Sequence, residues 1–264
     1  MTDKKPFTKG TLYGVSLGPG DPGLITRRAW ELLHGAPLWT YPVRKKGDDS
    51  YALDIARRAG LAIPETATAL QFPMTHDTVI LARYWLAAAQ TVLRLLETGR
   101  DVCFLVEGDA STYSTFGHLA RTLAALDETA RIEIIPGVSA YHAAEARLDM
   151  PLADTDDAIA IIPAAYGIAT IETLLNEFDT LVLLKVKPLL DDIIALLERR
   201  GLLEHARFIE KVGAPGERAV TDVAALRNTK VNYLSLLLVR NPNRTRGELV
   251  RGCRKKSQIG EVSA

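Results

Sequence analysis

From Thr11 onward, short apolar runs of strand length alternate with longer segments whose apolar residues recur at helical spacing. Strands interleaved with helices bury their apolar faces as a parallel or mixed sheet covered by helices, so this pattern confines the chain to the α/β class. Strands are predicted at 12–17, 38–43, 102–106 and 132–135, and again at 159–162, 181–185, 207–211 and 233–239. Helices are predicted over 22–34, a short stretch after Ser50, 77–98, 168–177 and 189–200. At roughly 100–200 residues per domain, 264 residues suggest two domains. The alternation restarts near Asp127, which divides the chain into 1–126 and 127–241. From 242 to 264 the chain loses periodicity and turns basic through Arg244, Arg246, Arg251, Arg254, Lys255 and Lys256, the composition of a mostly flexible tail.

Charge and cysteine content remove several function classes. Lys and Arg total 32 against 32 Asp and Glu, so there is no general attraction to nucleic acid or an anionic membrane, and an acidic ligand must be met by a local patch. Cys103 and Cys253 lie far apart in no CxxC pattern, which offers neither a disulfide framework nor a cysteine zinc site and suits a reducing cytosol. The opening MTDKKPFTKG lacks a signal peptide's apolar core, and no uninterrupted apolar run reaches the ~18 residues of a membrane span, so a soluble cytoplasmic protein is expected.

Three strand ends carry chemistry. Gly18-Pro19-Gly20-Asp21-Pro22-Gly23 follows the first strand and precedes a helix, with Asp21 placed to cap it and Pro22 at the first helical position. The loop formally satisfies the dinucleotide pattern GxGxxG, yet Pro19 and Pro22 have no N–H and fix φ, which leaves few donors for a pyrophosphate. Arg44, Lys45 and Lys46 after the second strand could meet a 2′-phosphate, so an NADP-dependent oxidoreductase stays open as an alternative. Glu107-Gly108-Asp109-Ala110-Ser111 ends the buried run 102–106; its carboxylate and amides either hold the two charges of an amino-acid moiety or cap the next helix. In Pro136-Gly137-Val138-Ser139-Ala140 the Ser139 hydroxyl serves as a cap, a ligand contact or both.

These segments, in this order and spacing, resemble the tetrapyrrole methylases, a family of S-adenosylmethionine-dependent methyltransferases. The resemblance rests on Val15-Ser16-Leu17-Gly18-Pro19-Gly20-Asp21, Gly108-Asp109-Ala110 and Pro136-Gly137-Val138-Ser139-Ala140, and covers about residues 10 to 240. Ala110 stands where many relatives have proline, and Leu184-Lys185-Val186 where many end the strand in methionine. Tyr41-Pro42-Val43, Ser50-Tyr51-Ala52-Leu53, Phe72-Pro73-Met74-Thr75, Tyr113-Ser114-Thr115-Phe116 and the run 233–239 are similar to the branch that methylates C20 of precorrin-2, or its cobalt form, in cobalamin biosynthesis.

The resemblance implies two α/β domains with mixed sheets, S-adenosylmethionine folded into the cleft between them and leaving as S-adenosylhomocysteine, and a homodimer. It assigns cofactor contacts to Pro19, Gly108, Asp109, Ala110, Tyr113, Ser139 and Ala140, with Lys185 contacting the cofactor through its backbone and Pro163 and Ala164 flanking the adenine. The substrate's acetate and propionate groups call for convergent donors, for which Arg27, Arg28, Arg44, Lys45 and Lys46 are the suppliers as a cluster, although each alone reads equally as a solvated surface charge. Tyr41, Tyr51 and His76 are the catalytic candidates along the tetrapyrrole trough, although two rim tyrosines and an exposed loop histidine would look the same. His118 and His142 fall within helical patterns and read as structural, and no His spacing suggests a protein-held metal. The alternatives are a methyltransferase for another precorrin, the NADP oxidoreductase, and a tetrapyrrole-binding protein without turnover.

Overall fold

A computed structural model describes residues 8–35 and 37–247. The first sheet contains β1 (Thr11–Ser16), β2 (Leu38–Val43), β3 (Thr68–Gln71), β4 (Val102–Val106) and β5 (Arg131–Ile135) in the order β3-β2-β4-β1-β5. Every pair in it is parallel. Strand β4 is buried from end to end because helices cover both faces. Its Cys103 and Leu105 pack toward α1 (Arg27–His34) and α2 (Tyr51–Arg58), while Val102, Phe104 and Val106 pack toward α3 (Thr78–Leu96) and α4 (Phe116–Leu126).

After β5, α5 (Ala140–Arg147) lays Ala143 and Ala144 against the second sheet. That sheet comprises β6 (Ile159–Pro163), β7 (Thr180–Leu184), β8 (Ala206–Glu210), β9 (Arg218–Val220) and β10 (Ser235–Arg240), ordered β6-β7-β10-β8-β9. Here β6 and β7 are parallel and the other pairs antiparallel, so only this sheet is mixed. Helices α6 (Ile168–Glu177) and α7 (Leu190–Arg199) cover its far face with Ile171, Leu175, Ile193 and Leu197. The carboxyl ends of β6, β7 and β8 emerge on the side where β10 begins.

Several sequence expectations are corrected. The boundary near Asp127 falls inside the first sheet's sequence, because β5 pairs with β1 along Thr11–Val15; the first sheet closes at Ile135. The predicted helix over 22–34 divides into a single 3-10 turn, Pro22–Leu24, and α1, separated by extended Ile25 and Thr26. Thr26 caps α1 by accepting from the Ala29 amide, and a residue with extended cap geometry cannot sit inside a helix. Helix α3 is long and apolar enough by composition to cross a membrane, with mean hydropathy 1.3 over its window, although no uninterrupted apolar run spans it. Its inner face, Ala88, Ala89, Val92 and Leu96, packs on the sheet. Arg244 and Arg246, assigned to the flexible tail, are ion-paired to Asp179, and Arg246 also to Asp157. Cys103 is a buried free thiol, while Cys253 and the basic residues from Arg251 onward lie outside the described residues.

Candidate active site between the two sheets

The loops after β1, β4 and β5 are tied together by their own polar groups. Gly18 and Gly108 form an isolated antiparallel bridge, with amide-to-carbonyl distances of 3.2 and 2.7 Å. Gly18, at φ 75°, and Gly108, at φ 72°, hold left-handed conformations that favour glycine at this crossing. The buried Ser16 hydroxyl donates to the Ile135 carbonyl (2.6 Å) and accepts from the Ala110 amide (2.8 Å), linking three strand ends. Gly137 packs so closely beside it that a Cβ there would stand 2.3 Å from the Ser16 Cβ.

Asp109 is the centre of this assembly. One carboxylate oxygen accepts from the Gly137 amide (2.8 Å), and the other from the Ser111 amide (2.9 Å) and the Ser111 hydroxyl. Burial pushes the carboxyl upward, but these hydrogen bonds outweigh it and hold the group below the usual aspartate range. The residue is 8% exposed, so its carboxylate faces its neighbours and not the cleft. The helix-cap reading does not describe it: α4 begins at Phe116, and the Asp109 carboxylate shapes the loop.

The second sheet closes on these loops. Gly20 lies against the segment after β8, where an added Cβ would meet the Val212 carbonyl at 2.5 Å; Gly213 meets Asp21 equally closely from the other side. Arg147 of α5 reaches both Asp21 (3.4 Å) and Glu217 (3.6 Å). Tyr113, at φ 51°, donates its hydroxyl across the cleft to the Ile161 carbonyl of β6 (3.0 Å). Lys185 directly follows β7 at φ 56°, its amide on the Ser235 carbonyl and its ammonium 5.9 Å from the Tyr233 ring. The 212–214 segment was missed in the sequence, where no apolar run or charged cluster marks it.

The predicted cofactor residues therefore converge on these facing strand ends, and they differ in exposure. Pro19, Ala110 and Ala164 are buried, so they fix shape; Pro163, Ala140, Lys185 and Tyr113 retain exposed surface. The predicted basic patch is divided. Arg27 pairs with Glu31 (2.6 Å) and Arg28 with Glu133 of the edge strand β5 (3.1 Å), whereas Arg44, Lys45 and Lys46 follow β2, three positions away in the sheet, and are exposed. Tyr51 donates to the Pro19 carbonyl at 3.3 Å, and burial pushes its hydroxyl up to about 12. Tyr41 is half-buried in β2 and His76 is exposed just before the Asp77 cap of α3. His118 is exposed and stacks on Trp85 at 4.2 Å, and His142 is exposed on α5 beside Tyr141. Among the described residues no group of three His, Cys, Asp or Glu could hold a metal ion.

The GxGxxG loop does not present a pyrophosphate cradle. The Gly18 amide is committed to Gly108, the Gly23 amide to Asp21 (2.8 Å), and Gly20 is packed on the second sheet. Residues 11–226 match the family model for the Tetrapyrrole (Corrin/Porphyrin) Methylases. The chain belongs to this family. It is 34% identical over 231 residues to the cobalt-precorrin-2 C(20)-methyltransferase of Salmonella typhimurium, covering 87% of this chain and 96% of that protein. A probable cobalt-precorrin-2 C(20)-methyltransferase of Methanocaldococcus jannaschii is 34% identical over 203 residues, 75% of this chain and 83% of the relative. The fold is shared with the Thermus thermophilus uroporphyrin-III C-methyl transferase complexed with S-adenyl homocysteine, at TM-score 0.62 and 24% identity, over 88% of this chain and 92% of that one.

The cleft fits the family's methyl donor, S-adenosylmethionine, on two counts. Beside Gly108 no atom lies within 4 Å of where a Cβ would be, so open space adjoins the loop. Ser139 starts α5 without a side-chain cap bond, leaving first-turn amides for an anionic group such as the methionine carboxylate.

Glu107 is an acid at the mouth of the site that the sequence reading did not single out. It is the first polar residue after the buried β4 and remains exposed to the cleft, yet protein surrounds it closely enough that desolvation pushes its carboxyl above the usual range. The positive charges of Arg44 and Lys185 act on it in the opposite sense. An acid directly at the carboxyl end of an all-buried strand was the available signal.

Proposed function

We propose that this chain methylates C20 of precorrin-2, or of its cobalt form, in cobalamin biosynthesis, consuming S-adenosylmethionine and releasing S-adenosylhomocysteine. The observation that carries this reading is the similarity to a C20-methyltransferase along nearly that protein's whole length. A bound sulfonium supplies an activated methyl group, so the protein's tasks are alignment and exclusion of water. The bridged loops at Gly18, Gly108 and Gly137 form a rigid wall for that alignment. Pro163, Lys185, Tyr113 and the start of α5 are the proposed contacts. Arg44, Lys45 and Lys46 meet the substrate's carboxylates; Arg27 and Arg28, already paired to acids, are secondary.

A homodimer is part of this proposal, and with it a cytoplasmic enzyme that holds no metal and binds neither nucleic acid nor membrane. The outer face of α3 exposes Val79, Ile80 and Leu86, preceded by exposed Met74, an apolar stripe that a second copy would cover. Sedimentation of the protein and of a Val79→Glu, Leu86→Glu variant tests the dimer: the variant is expected to sediment as a monomer.

The reaction is tested by mass spectrometry with methyl-labelled S-adenosylmethionine and precorrin-2, metal-free and cobalt-loaded in parallel. One labelled methyl on either pigment is expected, with NMR locating it at C20. Cofactor binding without label on either pigment would discard this substrate.

A further inference from the structure

Methylation at C20 leaves one proton to be removed. The meso carbon carries one hydrogen. Its π electrons form the new C–CH3 bond while the CH3–S bond breaks and its electron pair stays on sulfur. C20 is then tetrahedral, bearing both hydrogen and methyl. Conjugation returns when the C20–H bond breaks, its pair re-entering the macrocycle and the proton passing to a base.

Glu107 is placed for that step by the sheet itself. Side chains alternate along β4, with Cys103 and Leu105 facing α1 and α2. Continuing the alternation, Glu107 projects past the sheet's carboxyl end on the same side, where Tyr51 begins α2. The Tyr51 hydroxyl rests on Pro19, and the bridge between Gly18 and Gly108 lies directly beneath. Strand β2 runs alongside β4, with Leu38 opposite Val102 and Thr40 opposite Phe104, and it delivers Arg44 at the level of this acid. From the second sheet Lys185 supplies a further positive charge. The charged and titratable groups acting on this corner are therefore Arg44, Lys185 and Tyr51, with Asp54 and Arg58 of α2 behind the tyrosine.

We propose that Glu107 is the base that accepts the C20 proton after methyl transfer and passes it to solvent. This rests on the C20 reading above. The carboxylate adjoins the cofactor loop at Gly108, so a macrocycle that offers C20 to the methyl donor brings that carbon to the same corner of the cleft, with the departing hydrogen on the face away from the donor. Because the side chain keeps solvent access, the neutral acid formed in each turnover can return its proton to water. A carboxyl whose affinity for protons exceeds that of an ordinary glutamate is also a stronger base when ionised. The positive charges of Arg44 and Lys185 favour the carboxylate form and offset part of the effect of burial.

The test is Glu107→Gln, which preserves shape, measured beside Glu107→Asp and the wild type. A general base contributes about 10²–10⁴ in rate, so kcat for precorrin-2 is expected to fall at least ~100-fold in the glutamine variant. KM and the calorimetric affinity for S-adenosylhomocysteine should remain within about threefold, and the aspartate variant should recover part of the rate. The wild-type kcat should decline as pH drops through the Glu107 titration, an acid limb that the glutamine variant lacks. Independently of turnover, carbon-13 NMR of protein labelled at glutamate Cδ should show one carboxyl titrating above the ordinary glutamate range, absent from the glutamine variant. A glutamine variant with kcat within threefold of wild type, an acid limb that survives it, or a Glu107 resonance titrating in the ordinary range would each overturn the inference while the C20 reading stood. A wild type that labels no precorrin-2 would overturn both.

Discussion

The loop after β4 and the loop after β2 leave the same edge of the same sheet and are built on opposite principles. In Gly108–Ser111 nearly every polar group is answered within the protein: Asp109 by Gly137 and Ser111, Ala110 by Ser16, Gly108 by Gly18. In Arg44–Lys46 the side chains are exposed and the backbone does little beyond a turn closed on Asp48. The first loop supplies shape through internal hydrogen bonds, and the second supplies charge through exposed side chains. A small reactive cofactor needs the former, because misplacement of about 1 Å costs rate; a macrocycle rimmed with carboxylates is met by the latter.

The most severe way to break this contrast is Asp109→Ala. It leaves the partly buried amides of Gly137 and Ser111 without their carboxylate partner, for an expected loss of about 2 kcal/mol or slightly more in stability, measured by denaturant unfolding. S-adenosylhomocysteine affinity should fall at least tenfold by calorimetry, although the carboxylate itself faces away from the ligand. The pH dependence follows from the lowered folded-state carboxyl: the stabilisation is complete above the unfolded aspartate value near ~3.9 and is lost as pH falls through the still lower folded value. The wild-type advantage over the variant should therefore hold constant above about pH 5 and shrink only in strong acid. Gly137→Ala attacks the same assembly by overpacking. With the new Cβ against Ser16, about 2 kcal/mol should be lost, and a variant of unchanged stability would show that the loop is less rigid than drawn.

That division explains what could and could not be read from the amino acids. The strand cores were legible because runs such as 102–106 are apolar throughout, and the three strand-end loops because glycine and proline mark them. The direction of the Asp109 side chain was not, since a buried bracket and a ligand contact require the same residue in the same loop. That Arg28 is already paired was not legible either, because its partner Glu133 reaches α1 from β5, 105 residues away in sequence. The place of β5 itself was misjudged because Arg131 and Glu133 weaken its apolar pattern, while pairing to β1 decides its sheet. Gly20 meeting Val212 is likewise a long-range approach that no local pattern announces.

The exposed loop should behave in the opposite manner to the bracket. Arg44→Ala with Lys45→Ala is expected to raise the tetrapyrrole KM about tenfold, equivalent to ~1.4 kcal/mol, while stability stays within ~0.5 kcal/mol and S-adenosylhomocysteine affinity is unchanged. Higher salt should reduce the difference between variant and wild type, because exposed charges are screened. A defect confined to the cofactor side would show that the two loops do not divide the work in this way.

The smallest effect sharpens the comparison most, because one residue touches both regions. Tyr51 begins the helix that follows the basic loop, and its hydroxyl donates to Pro19 in the first cofactor loop. With that hydroxyl titrating at about 12, it remains a donor at any working pH. Tyr51→Phe removes one half-buried hydrogen bond, so a loss of about 1 kcal/mol in stability is expected, with S-adenosylhomocysteine affinity reduced less than threefold. Combined with Arg44→Ala in a double-mutant cycle on KM, the two changes should add within ~0.5 kcal/mol if the rigid wall and the charged rim act independently. A larger coupling would mean that Tyr51 transmits the position of the cofactor loop to the substrate loop, and that the division between them is bridged at this single hydroxyl.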